Sequence, residues 1–492
     1  MSDGSSRLGS LALSSGTLLF GRIFGKLANV AGLALLTREL TSSNFGVVML
    51  AYTISSVIGL ICVCGIPNGL ASLLPRLDGK RKIRVLLSGI SISIAGGLIG
   101  STLLVFFRKE ISMVTSEPQL TTILVPFAAF GFLFGLSKSV TGVLRGYKLS
   151  TEATLSRDII AESLSLAFLV FWFLSWESFE GVYVYWWLIP ITSILVGSVL
   201  FLRKISELPF SFPQVDDYKY ILDFSWPLTI ESGFVVLMSN IDVILIGVFL
   251  TSTPVGIYKA AQPIAMSMVI ILTSFTFLYL PLASEMYENG ELKELNNLYK
   301  ICTKWIITFS IPLTTVIIAY SETILSTVYQ QEFAAGATAL SILTIGVFLR
   351  TFFGPNGAMI KAISKTTVDL YASVASLLTN LCLNLFLIPR IGMVGAAIAT
   401  ATGFTVFNLI EVVVTYKSVK MQPISKENIQ IILTVIIFGG VARQFLGDTV
   451  GSLFLFSLLV GIVSLISSLV VADSTEERRL TREFTTKVSE MF

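Results

Sequence analysis

Fourteen long apolar stretches, separated by short polar or turn-forming segments, recur along this chain of 492 residues. They fall near 13–36, 46–70, 85–107, 120–141, 159–175, 182–202, 223–249, 257–281, 305–320, 336–354, 367–388, 393–416, 428–446 and 450–472. A helix needs roughly 20 apolar residues to cross a bilayer, and a helix satisfies its own backbone hydrogen bonds there. The pattern therefore predicts an all-α polytopic membrane protein with 14 transmembrane helices, and it excludes a soluble enzyme.

Basic side chains are distributed unevenly over the predicted loops. With the N-terminus inside, 25 of the 34 Lys and Arg residues fall in the inner loops and tail. Only five fall outside: Arg38, Arg108, Lys109, Arg390 and Arg443. Because loops rich in Lys and Arg stay in the cytoplasm, we expect a multi-pass protein of the cytoplasmic membrane with both termini cytoplasmic. A net charge of only +3 gives no reason to expect a nucleic-acid partner.

The two halves of the chain resemble each other at an offset of about 210 residues. L-T-S-S-N-F-G-V-V at 40–48 matches L-T-S-T-P-V-G-I-Y at 250–258, which aligns Gly46 with Gly256. Gly181 similarly aligns with Gly395. Two repeated helical bundles with a substrate site between them are a recurring transporter plan. We therefore predict a six-helix bundle over 1–204, a second over 205–422, two further helices over 423–472, and a cytoplasmic tail over 473–492.

Several sequence strings spread over nearly the whole chain resemble one known family. They are T-R-E-L-T-S-S-N-F-G-V-V from Thr37, V-L-R-G-Y-K from Val143, F-S-W-P-L from Phe224, N-I-D-V-I-L-I-G-V-F-L from Asn240, and N-L-F-L-I-P-R-I-G-M-V-G-A-A-I-A-T from Asn384. They are similar to the polysaccharide-biosynthesis flippases of the multidrug/oligosaccharidyl-lipid/polysaccharide exporter superfamily. Members of this family commonly have fourteen helices, and the multidrug exporters of the superfamily usually have twelve.

The resemblance implies a transporter and no enzyme. Its substrate would be a lipid-linked oligosaccharide or polysaccharide repeat unit, carried on polyprenyl (di)phosphate and moved across the cytoplasmic membrane by alternating access. Membrane lipids, and a glycan polymerase or glycosyltransferases, would be its partners, and we expect a monomer. An ion gradient or the membrane potential would drive transport.

Charged residues within the predicted spans are the candidate functional residues, because each costs several kcal/mol in lipid unless it faces a cavity or a partner. Ser15, Arg22, Lys26, Asn29 and Thr37 lie within about 40° of one direction on the first helix, at roughly 100° per residue. Two cations one turn apart repel each other unless an anion lies between them. We predict substrate binding by Arg22, Lys26 and Asn29. The alternative is that these cations pair with a carboxylate or extend to the membrane surface as structural charges.

The seventh predicted helix carries acidic residues instead. Glu231 and Asp242 are 11 positions apart and share a face. Such carboxylates could couple transport to Na⁺ or H⁺, or they could pair with basic residues. For Glu231 the partners would be Arg22 or Lys26, and for Asp242 the partner would be Lys259, just across the outer turn.

Arg350 is a further substrate-binding candidate. It lies at the inner end of the tenth predicted helix, beside Gly354 and Pro355, which predict a helix break. Its alternative role is interfacial snorkelling. Four charged residues near the ends of spans are predicted to be interfacial: Lys138, Glu162, Asp369 and Glu411. The segment 282–304 is predicted to be an amphipathic interfacial helix.

Other chemistries find no support in the sequence. The chain has no histidine, and it lacks the G-x-x-x-x-G-K-[ST] phosphate loop that nucleotide hydrolysis would need. The four cysteines lie in apolar stretches and predict no metal site. We expect no cofactor. Two other functions stay open: a drug/cation antiporter on the same fold, which would need a cavity rich in carboxylates, and a non-transporting scaffold of a glycan-assembly complex.

Overall fold

The computed structural model describes residues 2–175, 180–205, 211–365 and 367–471, without the side chains of residues 2–19, Glu231 and Val235. Every regular element among these residues is helical. The helices are α1 Ser2–Glu39, α2 Ser42–Cys62, α3 Ile66–Leu73, α4 Gly79–Phe106, α5 Arg108–Val114, α6 Leu120–Gly146, α7 Ser150–Thr154, α8 Glu162–Ser175, α9 Gly181–Lys204, α10 Val215–Phe249, α11 Ser252–Met266, α12 Val269–Glu288, α13 Leu292–Ala319, α14 Ser321–Val328, α15 Ala337–Phe352, α16 Asn356–Ala362, α17 Thr367–Ile391, α18 Met393–Val419, α19 Lys426–Phe445 and α20 Val450–Val471. A π-helical segment, Leu155–Ala161, joins α7 to α8. The predicted tail, 473–492, lies outside the described residues.

The protein is a multi-pass membrane protein. Within the described part of the chain, 12 helical segments are long and apolar enough to cross a membrane. The number rises to 13 if α10, bent by 42° between Val215–Phe234 and Val236–Phe249, counts as one span. Helix α1 has 38 residues and could supply another span by its length. The predicted count of fourteen stays a prediction.

The chain divides into two compact units: the first runs from Leu13 to Gly256, and the second combines the residues before Leu13 with those from Ile257 onward. Helix α10 lies in the first unit, where it packs against α2, α3 and α4. In the second unit, α13 packs against both α19 and α20. The predicted bundles over 1–204 and 205–422, and the helix pair over 423–472, were inferred from the sequence repeat and stay predictions.

Glycines on one face of α6 allow the helices of the first unit to approach closely. A Cβ atom on Gly135 would lie 2.7 Å from the carbonyl oxygen of Gly59 on α2. A Cβ atom on Gly142 would lie 2.2 Å from the carbonyl oxygen of Pro67 on α3. Small residues at such positions are the usual means of close helix packing in membranes, where lipid removes the hydrophobic drive between helices.

The two segments that the sequence repeat aligns touch each other in the first unit. A Cβ atom on Gly46 would lie 1.8 Å from the carbonyl oxygen of Ser252, and one on Gly256 would lie 2.3 Å from that of Ser42. The hydroxyls of Ser43 and Ser252 are 3.0 Å apart. The contact is therefore reciprocal, as it is when equivalent surfaces meet about a two-fold axis.

An ion pair fixes the start of α10 on α4. Arg84 Nε lies 2.8 Å from Asp217 Oδ2, and the two side chains are 21% and 6% exposed. The same carboxylate accepts the N–H of Gln214 at 3.0 Å and so caps α10. Both partners are largely removed from water, so each depends on the other.

We expect the change Arg84→Ala to lower the free energy of unfolding by about 1–3 kcal/mol, because it leaves Asp217 buried without its cation. Thermal unfolding of the purified protein in detergent measures the effect. Lys109→Ala, which removes an exposed cation on α5, is the control. Equal melting temperatures for the two variants would contradict the prediction.

The prediction of an interfacial helix over 282–304 is wrong. Helix α12 continues to Glu288, Gly290 turns the chain at a φ of 75°, and α13 starts at Leu292. Residues on both arms of this hairpin are buried in one apolar cluster with residues of α16: Tyr279, Ala283, Leu295, Leu298, Tyr299, Cys302, Met359 and Ile360. The burial of these apolar side chains in one cluster favours the hairpin.

Candidate functional site

Helix α1 packs in the first unit through two glycines spaced one turn apart. A Cβ atom on Gly21 would lie 2.4 Å from Thr154 Cγ2, and one on Gly25 would lie 2.9 Å from the carbonyl oxygen of Asp158. The glycine face of α1 therefore lies against α7 and the π-helical segment that follows it. Close approach of this kind needs residues without side chains.

The predicted substrate-binding residues of α1 follow directly after these glycines. Arg22 and Lys26 are exposed, and Asn29 is half-buried. Because successive residues of a helix are rotated by roughly 100°, Arg22 and Lys26 lie beside the packed face and not within it. The predicted common orientation of the two cations fits this arrangement, but their role in binding stays a prediction.

The structure brings further basic residues to Arg22. We name Arg22, Lys138, Arg145 and Arg157 the first-unit basic cluster. Electrostatic interactions connect Arg145 with Arg22 and Arg157, and Lys138 with Arg145 and Arg157. Asp158 acts on both Lys138 and Arg145, and Glu162 interacts with Arg157 and Asp158. Four basic side chains thus lie near two acidic ones, so basic groups outnumber acidic groups in the cluster.

Sequence reasoning found this cluster only in part. Lys138 and Glu162 were predicted to be interfacial, yet they join the cluster, and Lys138 Nζ lies 4.8 Å from the centre of the Phe134 ring. Arg157 was assigned to a loop and not singled out. It lies in the π-helical segment, an element that occurs frequently at functional sites. The sequence signal that could have indicated this part of the cluster is the pair of adjacent charges, Arg157 and Asp158, at the edge of an apolar stretch.

The predicted ion-coupling residues are distributed over both units. Asp242 on α10 is 1% exposed, and its Oδ1 accepts the N–H of Val243 at 2.8 Å. Lys259 is half-buried on α11, in the second unit. The side chain of Glu231 lies outside the described residues. Ion coupling by these residues, and pairing of Asp242 with Lys259, stay predictions.

The predicted helix break near Arg350 is present in the second unit. Helix α15 ends at Phe352 and α16 begins at Asn356. Between them Gly354 has a φ of 66°, and a Cβ atom there would lie 2.1 Å from Thr303 Oγ1. The guanidinium of Arg350 lies 5.4 Å from the centre of the Phe404 ring on α18. The substrate contact of Arg350 stays a prediction.

Beside this break lies a carboxylate that sequence reasoning misjudged. Glu411 was predicted to be interfacial, but its side chain is 1% exposed. Its Oε1 would lie 3.2 Å from a Cβ atom on Gly357 in α16, and the carboxyl of Asp369 is within hydrogen-bonding range. The nearby Lys361 Nζ lies 3.6 Å from Asp369 Oδ2. The broken helix places α16 over Glu411 and closes it off from water.

Amides also connect the helices of the second unit. Asn356 Nδ2 donates to Asn408 Oδ1 at 3.0 Å, which joins the start of α16 to α18. Within α17, Asn384 Nδ2 donates to Asn380 Oδ1 at 2.9 Å, and Asn380 Nδ2 in turn donates to Thr400 Oγ1 on α18 at 3.3 Å. Interhelical hydrogen bonds of this kind hold membrane helices together.

Among the described residues, no three His, Cys, Asp or Glu side chains are placed so that they could bind a metal ion together. The four cysteines Cys62, Cys64, Cys302 and Cys382 are free thiols. The arrangement instead suits the binding of an anion, because Arg and Lys provide charge-assisted donors for phosphate oxygens.

Comparison with known proteins assigns the family. The family model for polysaccharide biosynthesis proteins matches residues 12–287, more than half of the chain. The MatE family model matches residues 227–386. The two matches together span the first unit and much of the second.

Relatives and solved structures agree with this assignment. An uncharacterized membrane protein of Methanocaldococcus jannaschii is 23% identical over 376 residues, which cover 73% of this chain and 72% of the relative. The "Probable low-salt glycan biosynthesis flippase Agl15" of Haloferax volcanii is 27% identical over 219 residues, 44% of this chain and 46% of the relative. The structure of the lipid II flippase MurJ in an inward closed conformation shares the fold, with a TM-score of 0.73 at 18% identity over 93% of this chain and 98% of that one. The chain belongs to the polysaccharide biosynthesis protein family, the polysaccharide flippases of the multidrug/oligosaccharidyl-lipid/polysaccharide exporter superfamily.

Proposed function

We propose that the protein moves a lipid-linked oligosaccharide or polysaccharide repeat unit across the cytoplasmic membrane by alternating access. The observation that carries the proposal is the first-unit basic cluster, in which Arg22 of α1 is joined by basic residues of two segments long and apolar enough to cross a membrane. The flippase name of the Haloferax volcanii relative supports it. In a family of polysaccharide flippases, such a cluster has an obvious anionic ligand, the phosphate that joins glycan to lipid.

The head group would be held by Arg22 and Lys26, and we propose Arg350 as a substrate-binding residue in its own right. An Arg guanidinium matches phosphate with two parallel donors, and a Lys ammonium adds a point charge. Asn29, one turn further along α1, would supply both a donor and an acceptor for glycan hydroxyls. The polyprenyl chain would stay in the bilayer, since its transfer to water is unfavourable.

A drug/cation antiporter fits the basic cluster less well. Arg22, Lys138, Arg145 and Arg157 outnumber Asp158 and Glu162, so the cluster would repel a cationic drug. A scaffold without transport activity predicts instead that the cluster can be neutralised without any effect on glycan export.

Transport would be driven by an ion gradient or by the membrane potential. One elementary charge that crosses 100 mV supplies about 2.3 kcal/mol. We propose Glu231 and Asp242 on α10, with Lys259 on α11, as the groups that bind Na⁺ or H⁺ or change partners during the cycle. We further propose that the protein acts as a monomer with both termini in the cytoplasm, beside a glycan polymerase or glycosyltransferases.

Deletion of the protein tests the proposed function. We expect a lipid-linked glycan to accumulate on the cytoplasmic leaflet, where it is protected from a glycan-cleaving enzyme added to intact cells. Lipid extraction with mass spectrometry measures the accumulation, and expression of the wild-type protein should reverse it. A deletion strain in which no lipid-linked glycan accumulates on the cytoplasmic leaflet would rule out the flippase.

A further inference from the structure

A carboxyl group without a hydrogen-bond donor lies inside the second unit. Neither oxygen of Glu411 has a hydrogen-bond partner among the described residues, and Oδ1 of Asp369 is buried in the same way. The two carboxyl groups are within hydrogen-bonding range of each other. An ionised carboxylate only accepts hydrogen bonds. The two groups can therefore bond to each other only when one of them carries a proton.

The basic side chains nearby do not form an ion pair with Glu411. Lys361 pairs with Asp369, on the more exposed side of the pair. The guanidinium of Arg350 lies over the ring of Phe404, although it acts electrostatically on Glu411 from there. Burial of an ionised carboxylate without a close partner costs several kcal/mol. A proton on the pair removes this cost.

The other described elements around the pair supply no hydrogen-bond donor to Glu411 either. The Tyr299 hydroxyl on α13 interacts electrostatically with Glu411, but it donates to the carbonyl oxygen of Phe353 at 3.4 Å. On the side of α16, Gly357 brings the helix backbone against the carboxylate. The charged and titratable groups that face Glu411 are thus those of α13, α15, α16 and α17: Tyr299, Arg350, Lys361 and Asp369.

We propose that Glu411 and Asp369 share one proton and form a proton-binding site in the second unit, separate from the charges of α1 and α10. A proton is the ligand that fits. Two carboxyl groups offer few oxygens for a metal ion, and Arg350 and Lys361 would repel a second cation. Among the residues that the structure describes, no three or more acidic, His or Cys side chains are arranged to bind a metal ion.

The pair also connects the protein surface with the interior. Lys361 is 54% exposed and Asp369 is 26% exposed, whereas Glu411 is 1% exposed. A proton that reaches Asp369 from water can therefore pass to Glu411. Loss of the proton leaves one more negative charge on the pair, which draws the guanidinium of Arg350 away from the Phe404 ring and towards Glu411. This coupling role rests on the proposed transport function, whereas the proton site itself does not.

Infrared spectroscopy of the purified protein tests the site. The C=O stretching band of a protonated carboxyl should be present in the wild-type protein at low pH and disappear when the pH is raised far enough to ionise the pair. The band of one carboxyl should be absent from Glu411→Gln, whose amide donates to Asp369 in place of the proton. Asp369→Asn should lose the same band and serves as the second variant if the first does not fold. Glu288→Gln, an exposed acid on α12, should leave the band unchanged.

Two results would overturn the proton site. One is a wild-type spectrum without any band that depends on both Glu411 and Asp369, which would mean that both carboxyls are ionised. The other is a band that Glu288→Gln lowers as much as Glu411→Gln does, which would mean that the pair of Glu411 and Asp369 does not hold the proton.

Glycan export tests the coupling role separately. Glu411→Gln should lower the export rate by at least about tenfold, because a site that cannot lose its proton cannot use the proton gradient. Unchanged export by a variant that lacks the band would overturn the coupling role and leave the proton site standing. If deletion of the whole protein causes no accumulation of lipid-linked glycan, the proposed function fails, and the infrared result is unaffected.

Discussion

Replacement of Arg22 and Lys26 together by alanine is expected to abolish glycan export without unfolding the protein. Each charge-assisted contact with a phosphate contributes about 1.5–3 kcal/mol, so loss of two lowers the affinity for the head group by about 100-fold or more. Both side chains are exposed, so their removal opens no cavity in the core.

The double variant is tested in the deletion strain, with accumulated lipid-linked glycan as the readout. Arg22→Lys with Lys26→Arg keeps both positive charges and should retain most of the export. Lys80→Ala, which removes an exposed cation at the start of α4, should behave as the wild-type protein. Full export by the alanine double variant would remove Arg22 and Lys26 from the site and would favour the scaffold.

Introduction of a methyl group at Gly46 is expected to be the most destabilising single change in the first unit. The Cβ atom would lie 1.8 Å from the carbonyl oxygen of Ser252, a backbone atom that cannot turn aside as a side chain can. Overpacking costs typically about 1–3 kcal/mol and occasionally more, and we expect Gly46→Ala to reach the upper end. Gly256→Ala, which faces the carbonyl oxygen of Ser42 at 2.3 Å, should behave similarly.

The melting temperature of the detergent-purified variants measures this effect. Gly461→Ala is the matched control on α20, because a Cβ atom there meets nothing within 4 Å and alanine favours a helix over glycine by about 1 kcal/mol. We expect the control to be unchanged or slightly more stable. If Gly46→Ala has the same melting temperature as the control, the close contact between α2 and the start of α11 does not stabilise the protein.

The helical architecture followed from the sequence because its signal is local. Apolar stretches of the right length predicted helices, and Gly354 with Pro355 predicted the break between α15 and α16. The interfacial helix over 282–304 was wrong for a nonlocal reason. Its amphipathic face packs against Met359 and Ile360 on α16, partners that are distant in the sequence.

Helical periodicity connects candidate residues only when they lie on the same helix. Periodicity grouped Arg22 and Lys26 on α1, because residues four positions apart on a helix lie on the same face. Periodicity could not add Arg145 and Arg157, which come from α6 and the π-helical segment and reach Arg22 only through tertiary packing.

The sequence by itself determined that this chain is a bundle of membrane-spanning helices, which family it resembles, and which helix carries paired cations. Hydropathy, charge distribution and helical period are properties of neighbouring residues, so they can be read without coordinates. Only the tertiary structure decided that Glu411 is buried and not interfacial, and that its nearest acidic partner is Asp369. The environment of a charge depends on the segments that pack around it, which are often distant in the sequence. In this protein the break before α16 allows α16 to pack over Glu411.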